Sequence, residues 1–204
     1  MGGTFDPIHF GHLIAAELAR TRFTLDLVIF VPTGDPPHKR CRPVSPAEHR
    51  YAMAVLATAD HPLFQVSRLE MDRPGPSFSV DTLEEIRRRL GPTVDLYFIT
   101  GADAISDMLT WKDPQRLVDF CHWVAVSRPG YSLQDVEAKL GDFYRRHRER
   151  FHLLEVPGIA ISSTDIRERV RNGQSIRYFV PEAVRLYIQK YALYQDGQIS
   201  PKVR

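Results

Sequence analysis

The densest chemical signal in the chain is its opening run, Gly2-Gly3-Thr4-Phe5-Asp6-Pro7-Ile8-His9-Phe10-Gly11-His12. Paired glycines let a backbone approach a ligand closely, and Pro7 stiffens the turn that follows. The apolar residues Leu13, Ile14 and Leu18 then continue as a helix, so His9 and His12 fall on its first turn. A helix N-terminus carries unpaired N–H groups and the positive end of the dipole, which together form a ready site for phosphate. Imidazoles three residues apart share one face and can donate to the same anion. Incidental histidines on a capping loop are the competing explanation, and the glycine-rich strand-to-helix setting favours the phosphate site.

A second run near the other end, Ile161-Ser162-Ser163-Thr164-Asp165-Ile166-Arg167, has related logic. Hydroxyls and backbone N–H groups gather where a helix starts, and Arg167 follows one turn later with a guanidinium fork suited to phosphate oxygens. Taken alone, this segment also reads as a serine-rich N-cap.

Together these runs resemble the nucleotidyltransferase superfamily that carries the His-x-Gly-His motif, which also holds the class I aminoacyl-tRNA synthetases. The wording Gly-Gly-Thr-Phe-Asp-Pro-Ile-His is similar to that of the bacterial nicotinate-nucleotide adenylyltransferases. Further matching segments are 32–39 (PTGDPPHK), 76–83 (PSFSVDTL) and 101–111, extending the resemblance over nearly the whole chain. It implies transfer of AMP from ATP to nicotinate mononucleotide, giving deamido-NAD and pyrophosphate. His9, His12 and Thr4 become the catalytic candidates. Gly2, Gly3, Phe5, Gly101, Asp103, Ile161, Ser162, Ser163, Thr164 and Arg167 are expected at ATP, with Mg2+ carried on its phosphates.

Lys39, Arg50, Val80, Trp111 and Lys112 are expected at the mononucleotide. Trp111 would stack on the pyridine ring, and the N–H groups of Val80 and Lys112 would receive its carboxylate. Several of these have plainer readings: a surface lysine for Lys39, a structural ion pair for Arg50, a core indole for Trp111 and a helix cap for Asp103. The same chemistry on nicotinamide mononucleotide or phosphopantetheine, or a non-catalytic nucleotide sensor, are the alternatives. A tRNA synthetase is disfavoured by the short chain and the absence of a lysine-rich second signature.

The elements that must position these groups alternate. Apolar runs at 27–31, 64–69, 96–100, 123–127 and 153–156 read as strands. Amphipathic stretches near 12–22, 47–59, 80–90, 102–109, 114–120 and 133–148 read as helices, and Ser45 with Glu48 marks a helix start. Alternation of this kind predicts an α/β fold, a Rossmann-like doubly wound parallel sheet covered on both faces. Helices near 163–171 and 181–193 would form a small C-terminal helical subdomain. The expected organisation is a nucleotide-binding domain at 1–160 followed by that subdomain at 161–204. Because the resembled proteins carry an apolar strand before Gly-Gly-Thr-Phe, the first strand is expected to be missing or truncated before Gly2.

Composition excludes several other classes. The charge balance of 27 Lys and Arg against 25 Asp and Glu, net +2, argues against nucleic acid or membrane as the main partner. The runs 87–89 and 145–150 read as solvated basic faces. Cys41 and Cys121 form neither a disulfide framework nor a zinc cluster, and the remaining histidines lack metal-ligand spacing, so no protein-bound metal is expected. A cytoplasmic protein is the resulting expectation, with a homo-oligomer compatible.

Overall fold

The computed structural model describes residues 1–35, 44–127, 132–157 and 161–195. Strand β1 (Gly2–Gly3) leads into α1 (Phe10–Arg22), then β2 (Val28–Pro32), α2 (Ala47–Thr58), β3 (Phe64–Val66) and α3 (Ser79–Leu90). The second half runs β4 (Tyr97–Gly101), α4 (Ala102–Ser106), α5 (Pro114–Phe120), β5 (His122–Ser127), α6 (Leu133–Leu140), α7 (Asp142–Arg146) and β6 (Phe151–Glu155). Helices α8 (Ser163–Arg171) and α9 (Glu182–Lys190) follow. All strand pairs are parallel, in the orders β1-β2-β3 and β4-β5-β6. This is the expected α/β architecture, with apolar strands buried between helical layers.

One departure concerns the centre of the sheet. The expected continuous sheet is two three-stranded ladders, because β1 contributes only Gly2–Gly3. Its position is nevertheless central. Gly2 pairs with Val31 of β2 on one side, and on the other a Cβ at Gly2 would sit 3.2 Å from Cζ of Phe98 in β4. Met1 extends the pairing, donating from its amino group to the Ile29 carbonyl at 2.7 Å and accepting from the Val31 N–H at 2.9 Å. Along the same line a cavity of about 490 Å3 lies between β2 and β4, lined by Leu27, Ile29, Leu96 and Phe98 among others.

Other differences are local. The helix expected over 133–148 breaks at Gly141, which has φ of 55°, a left-handed conformation that favours glycine. The expected strand over 64–69 stops at Val66, before the turn that carries Arg68 and Asp72. Ser45 and Glu48 do not form a capping box: Pro46 precedes the first turn of α2, and Glu48 is held instead by Arg68 at 2.7 Å. The 145–150 run is largely solvated, as expected, whereas Arg87 reaches back to the carbonyls of Pro92, Val94 and Phe120. Among the described residues no helix is long and apolar enough to cross a membrane.

Packing ties the C-terminal helices to the first half of the sheet. Ile166, Ile176, Val180, Val184, Ile188 and Leu193 lie in the same buried cluster as Phe5, Ile8, Phe30, Met53 and Ile99. A second cluster around Trp123, Leu117, Ile105 and Val136 fills the space beneath α3 to α7. Ile188 is 2% exposed, so Ile188→Ala removes wholly buried methylenes and should cost about 2–4 kcal/mol. Urea unfolding followed by circular dichroism and by tryptophan fluorescence should shift together. A separate early transition of the C-terminal segment would contradict the shared core.

Candidate active site

The glycine run sets the geometry of the loop that leads into α1. A Cβ at Gly3 would come within 2.9 Å of the Phe5 ring, so only glycine fits that close approach. Phe5 has φ of 51° and is 2% exposed, and its ring meets His12 edge-on with centroids 5.1 Å apart. The Phe5 side chain, expected at ATP, is therefore a core buttress for His12. Helix α1 begins directly after His9. The His9 N–H donates to Nδ1 of His12 at 3.2 Å, so Nδ1 acts as an acceptor and the ring proton belongs on Nε2.

The two imidazoles stack with centroids 3.7 Å apart. His9 is 6% exposed, and burial lowers its pKa to about 4, so it is neutral at physiological pH. Its Nδ1 is buried without a hydrogen-bond partner among the described residues, an unsatisfied polar atom beside a helix N-terminus.

The second element arrives from the far end of the sequence. Ser162 caps α8 by accepting the Asp165 N–H at 3.1 Å. Ser163 Oγ donates to the Pro7 carbonyl at 2.9 Å, and Arg167 Nη1 donates to the Asp6 carbonyl at 2.7 Å. Arg167 also donates to Thr164 Oγ1 at 3.2 Å. At the same junction the Ile161 carbonyl lies 3.8 Å from where a Gly11 Cβ would be. The loop leading into α1 and the first turns of α8 are thus joined directly, so the two motifs lie side by side.

Beside this junction opens a pocket of about 220 Å3, with Gly2, Gly3 and Thr4 along one side and Ser77, Phe78 and Ser79 along another. Phe98, Trp111 and Lys112 complete its wall. Trp111 stands edge-on to Trp123 and Phe98, with centroids 5.8 and 6.3 Å away. Val80, itself buried, lies in the first turn of α3, whose N-cap Phe78 offers no side-chain acceptor, so this helix end presents N–H groups near the pocket. Lys112 Nζ is held by Asp81 at 2.9 Å and lies over the Phe78 ring. Gly101 and Asp103 lie at the C-terminal end of β4, exposed and outside this pocket's lining. Lys39 falls outside the described residues.

Arg50 departs from its expected contact with the mononucleotide. It is 1% exposed, and its guanidinium donates to the carbonyls of Ser45 at 2.9 Å, Thr4 at 2.8 Å and Gly34 at 3.3 Å. It buckles the glycine loop to the chain after β2 instead of presenting its fork to a ligand. Two carboxylates were not singled out by sequence reasoning. Asp6 is 5% exposed and hydrogen-bonded on both oxygens. Glu70, in the floor of the Trp111 pocket, has its pKa raised by burial while accepting from Thr82 Oγ1 at 2.8 Å. Asp6 lies within the Gly-Gly-Thr-Phe-Asp-Pro-Ile-His run, which does not reveal its buried contacts, and Glu70 has no spacing signature.

A parallel α/β sheet with a paired-histidine helix N-terminus and a serine-rich partner helix defines a nucleotidyltransferase site. In agreement, the chain belongs to the cytidylyltransferase-like family, whose pattern matches residues 1–169. It is 56% identical over 195 residues to a probable nicotinate-nucleotide adenylyltransferase of Moorella thermoacetica, covering 96% of this chain and 90% of that one. The protein of the same description from Thermus thermophilus is 52% identical over 194 residues, covering 95% and 97%. The fold is similar to the Plasmodium falciparum nicotinic acid mononucleotide adenylyltransferase complexed with NaAD, at a TM-score of 0.76 and 20% identity over 95% of this chain and 94% of that one.

Two tests follow from the electrostatics. His9 takes up a proton in the unfolded chain near its ordinary pKa of 6.5 but in the folded protein only near 4. Stability should therefore fall as pH drops from about 6.5 towards 4, by on the order of 2–3 kcal/mol from this group. Denaturant titrations at pH 7 and pH 4.5 should show a smaller loss in His9→Asn than in the unmodified protein; an equal loss would place the His9 proton elsewhere. Arg50→Met leaves three carbonyls without their charged donor and should cost about 3 kcal/mol or more. The exposed Arg68→Met should cost within about 1 kcal/mol, and equal costs would refute the buckle.

Proposed function

We propose that this chain joins nicotinate mononucleotide to the AMP portion of ATP, releasing pyrophosphate and forming deamido-NAD. The observation that carries the reading is the direct junction of the α1 and α8 N-termini, through Ser163 to Pro7 and Arg167 to Asp6. Its position beside an aromatic-walled pocket adds the acceptor. The relatives named for this activity align over nearly the whole chain, which supports the assignment.

In the proposed reaction a phosphate oxygen of the mononucleotide attacks the α-phosphorus of ATP. The new O–P bond forms as the bond to the oxygen bridging the β-phosphorus breaks, and pyrophosphate leaves with that electron pair. No enzyme nucleophile is required, so the chain acts by positioning and by stabilising charge on phosphoryl oxygens. His12, with Nε2 as a fixed donor, and His9 would hydrogen-bond the ATP phosphates. Main-chain N–H groups of Ser163 and Thr164, with Arg167, would hold them from the opposite side.

Gly2, Gly3, Gly101, Asp103, Ile161 and Ser162 would frame the nucleotide, with Thr4 between it and the incoming phosphate. Mg2+ bound to the triphosphate would neutralise part of its charge. This chain's own donors in the site are imidazole N–H, hydroxyl, amide and guanidinium, and they suit the phosphates, not the ion. Trp111 would flank the pyridine ring. The N–H groups of Val80 and Lys112 would receive its carboxylate, an anion favoured at the α3 N-terminus, where an amide gains less.

Purified enzyme should release pyrophosphate from ATP with the acid mononucleotide and much more slowly with the amide. His12→Ala should retain its fold and lose about 10²–10³ in kcat. Near-normal turnover by folded His12→Ala would reject the mechanism, and equal use of acid and amide would reject the acceptor assignment.

A further inference from the structure

Among the contacts of the phosphate loop, one comes from a residue near the end of the described chain with no assigned role. Tyr194 Oη donates to Asp6 Oδ1 at 2.7 Å, across 188 positions of sequence. The other Asp6 oxygen, Oδ2, accepts the Ser45 N–H at 3.1 Å. The Asp6 carbonyl is the acceptor for Arg167 Nη1. Asp6 therefore links three segments: the loop between β1 and α1, the chain entering α2, and Arg167 of α8. It is 5% exposed, so its carboxylate has little water to replace a lost donor.

Tyr194 itself is anchored through the residue before it. It has φ of 67°, an unusual conformation for a bulky residue, and the neighbouring Leu193 is 7% exposed in the shared core. The Leu193 N–H donates to the Ile188 carbonyl at 3.0 Å, which holds the segment against the end of α9. A backbone held in this region marks a conformation imposed by its surroundings. Burial and the adjacent Asp6 carboxylate both push the phenol pKa well up, so the hydroxyl stays protonated as a donor.

We propose that Tyr194 is a positioning residue for nucleotidyl transfer, acting through the Asp6 carboxylate to hold the loop between Thr4 and His12 and the Arg167 anchor in register. The chain after α9 is thereby a latch on the phosphate site. Removing the phenol hydroxyl leaves the buried carboxylate with one fewer donor, and its reorientation moves the carbonyl on which Arg167 rests. Misplacement of catalytic groups by about 1 Å is enough to cost on the order of 10²-fold in rate.

The kinetic part of the inference rests on the proposed adenylyl transfer; the structural part does not. Tyr194→Phe keeps the ring and its packing. Its kcat should fall about 10- to 100-fold, while KM for ATP and for the mononucleotide stays within about twofold. In an Asp6→Asn background the same substitution should have no further effect, because the path runs through that carboxylate. Hydrogen exchange without nucleotide gives a readout independent of turnover. Amides of residues 4–12 should exchange faster in both Tyr194→Phe and Asp6→Asn, with α5 and β5 unchanged. Unaltered kcat and unaltered exchange in folded Tyr194→Phe would overturn the latch, as would full additivity of the two substitutions. An unmodified protein that releases no pyrophosphate would refute the adenylyl-transfer reading, and the exchange measurement would still decide the latch.

Discussion

Two hydrogen bonds, from Ser163 to the Pro7 carbonyl and from Arg167 to the Asp6 carbonyl, join parts of the chain more than 150 residues apart. Both acceptors are main-chain atoms of the loop that follows the glycine pair, so the join fixes backbone to backbone-bearing helix. Side chains on that loop inherit the constraint. His12 is held from three directions, by the His9 N–H, by the Phe5 edge and by the stacked His9 ring. Without the join, the two helix ends would be independent of one another; with it, the start of α8 is held against the loop that leads into α1.

Two cations beside the site, Arg50 and Arg167, are engaged by main-chain carbonyls. His9 is neutral because burial penalises the charged ring, and Arg50, which is charged, is turned away onto three carbonyls. That division suits a reaction in which charge shifts along a triphosphate. Fixed dipoles need no rearrangement as the transition state forms, whereas mobile solvated lysines would. Arg50 and Asp6 serve the same end from beneath, one by donating into the loop and the other by accepting from its neighbours.

The alternation of strands and helices was legible because apolar runs and amphipathic stretches differ in period, and all eight expected helices begin within two residues of their positions. Helix interruption at Gly141 was visible as a glycine but not as a break, since a single glycine within a helical pattern is often tolerated. The starts of α1 and α8 were legible from local spacing. Arg50 was not, because its three acceptors come from residues 4, 34 and 45, and only folding brings those carbonyls together. The same holds for Asp6 and Glu70, whose importance lies in burial that no local pattern encodes.

A crystal structure with a non-hydrolysable ATP analogue tests the convergence most directly. The account predicts that Nε2 of His12 and the main-chain N–H groups at the start of α8 lie within hydrogen-bonding distance of phosphate oxygens on the same nucleotide. An analogue whose phosphates engage only one of the two helix ends, with the other left in solvent, would contradict it.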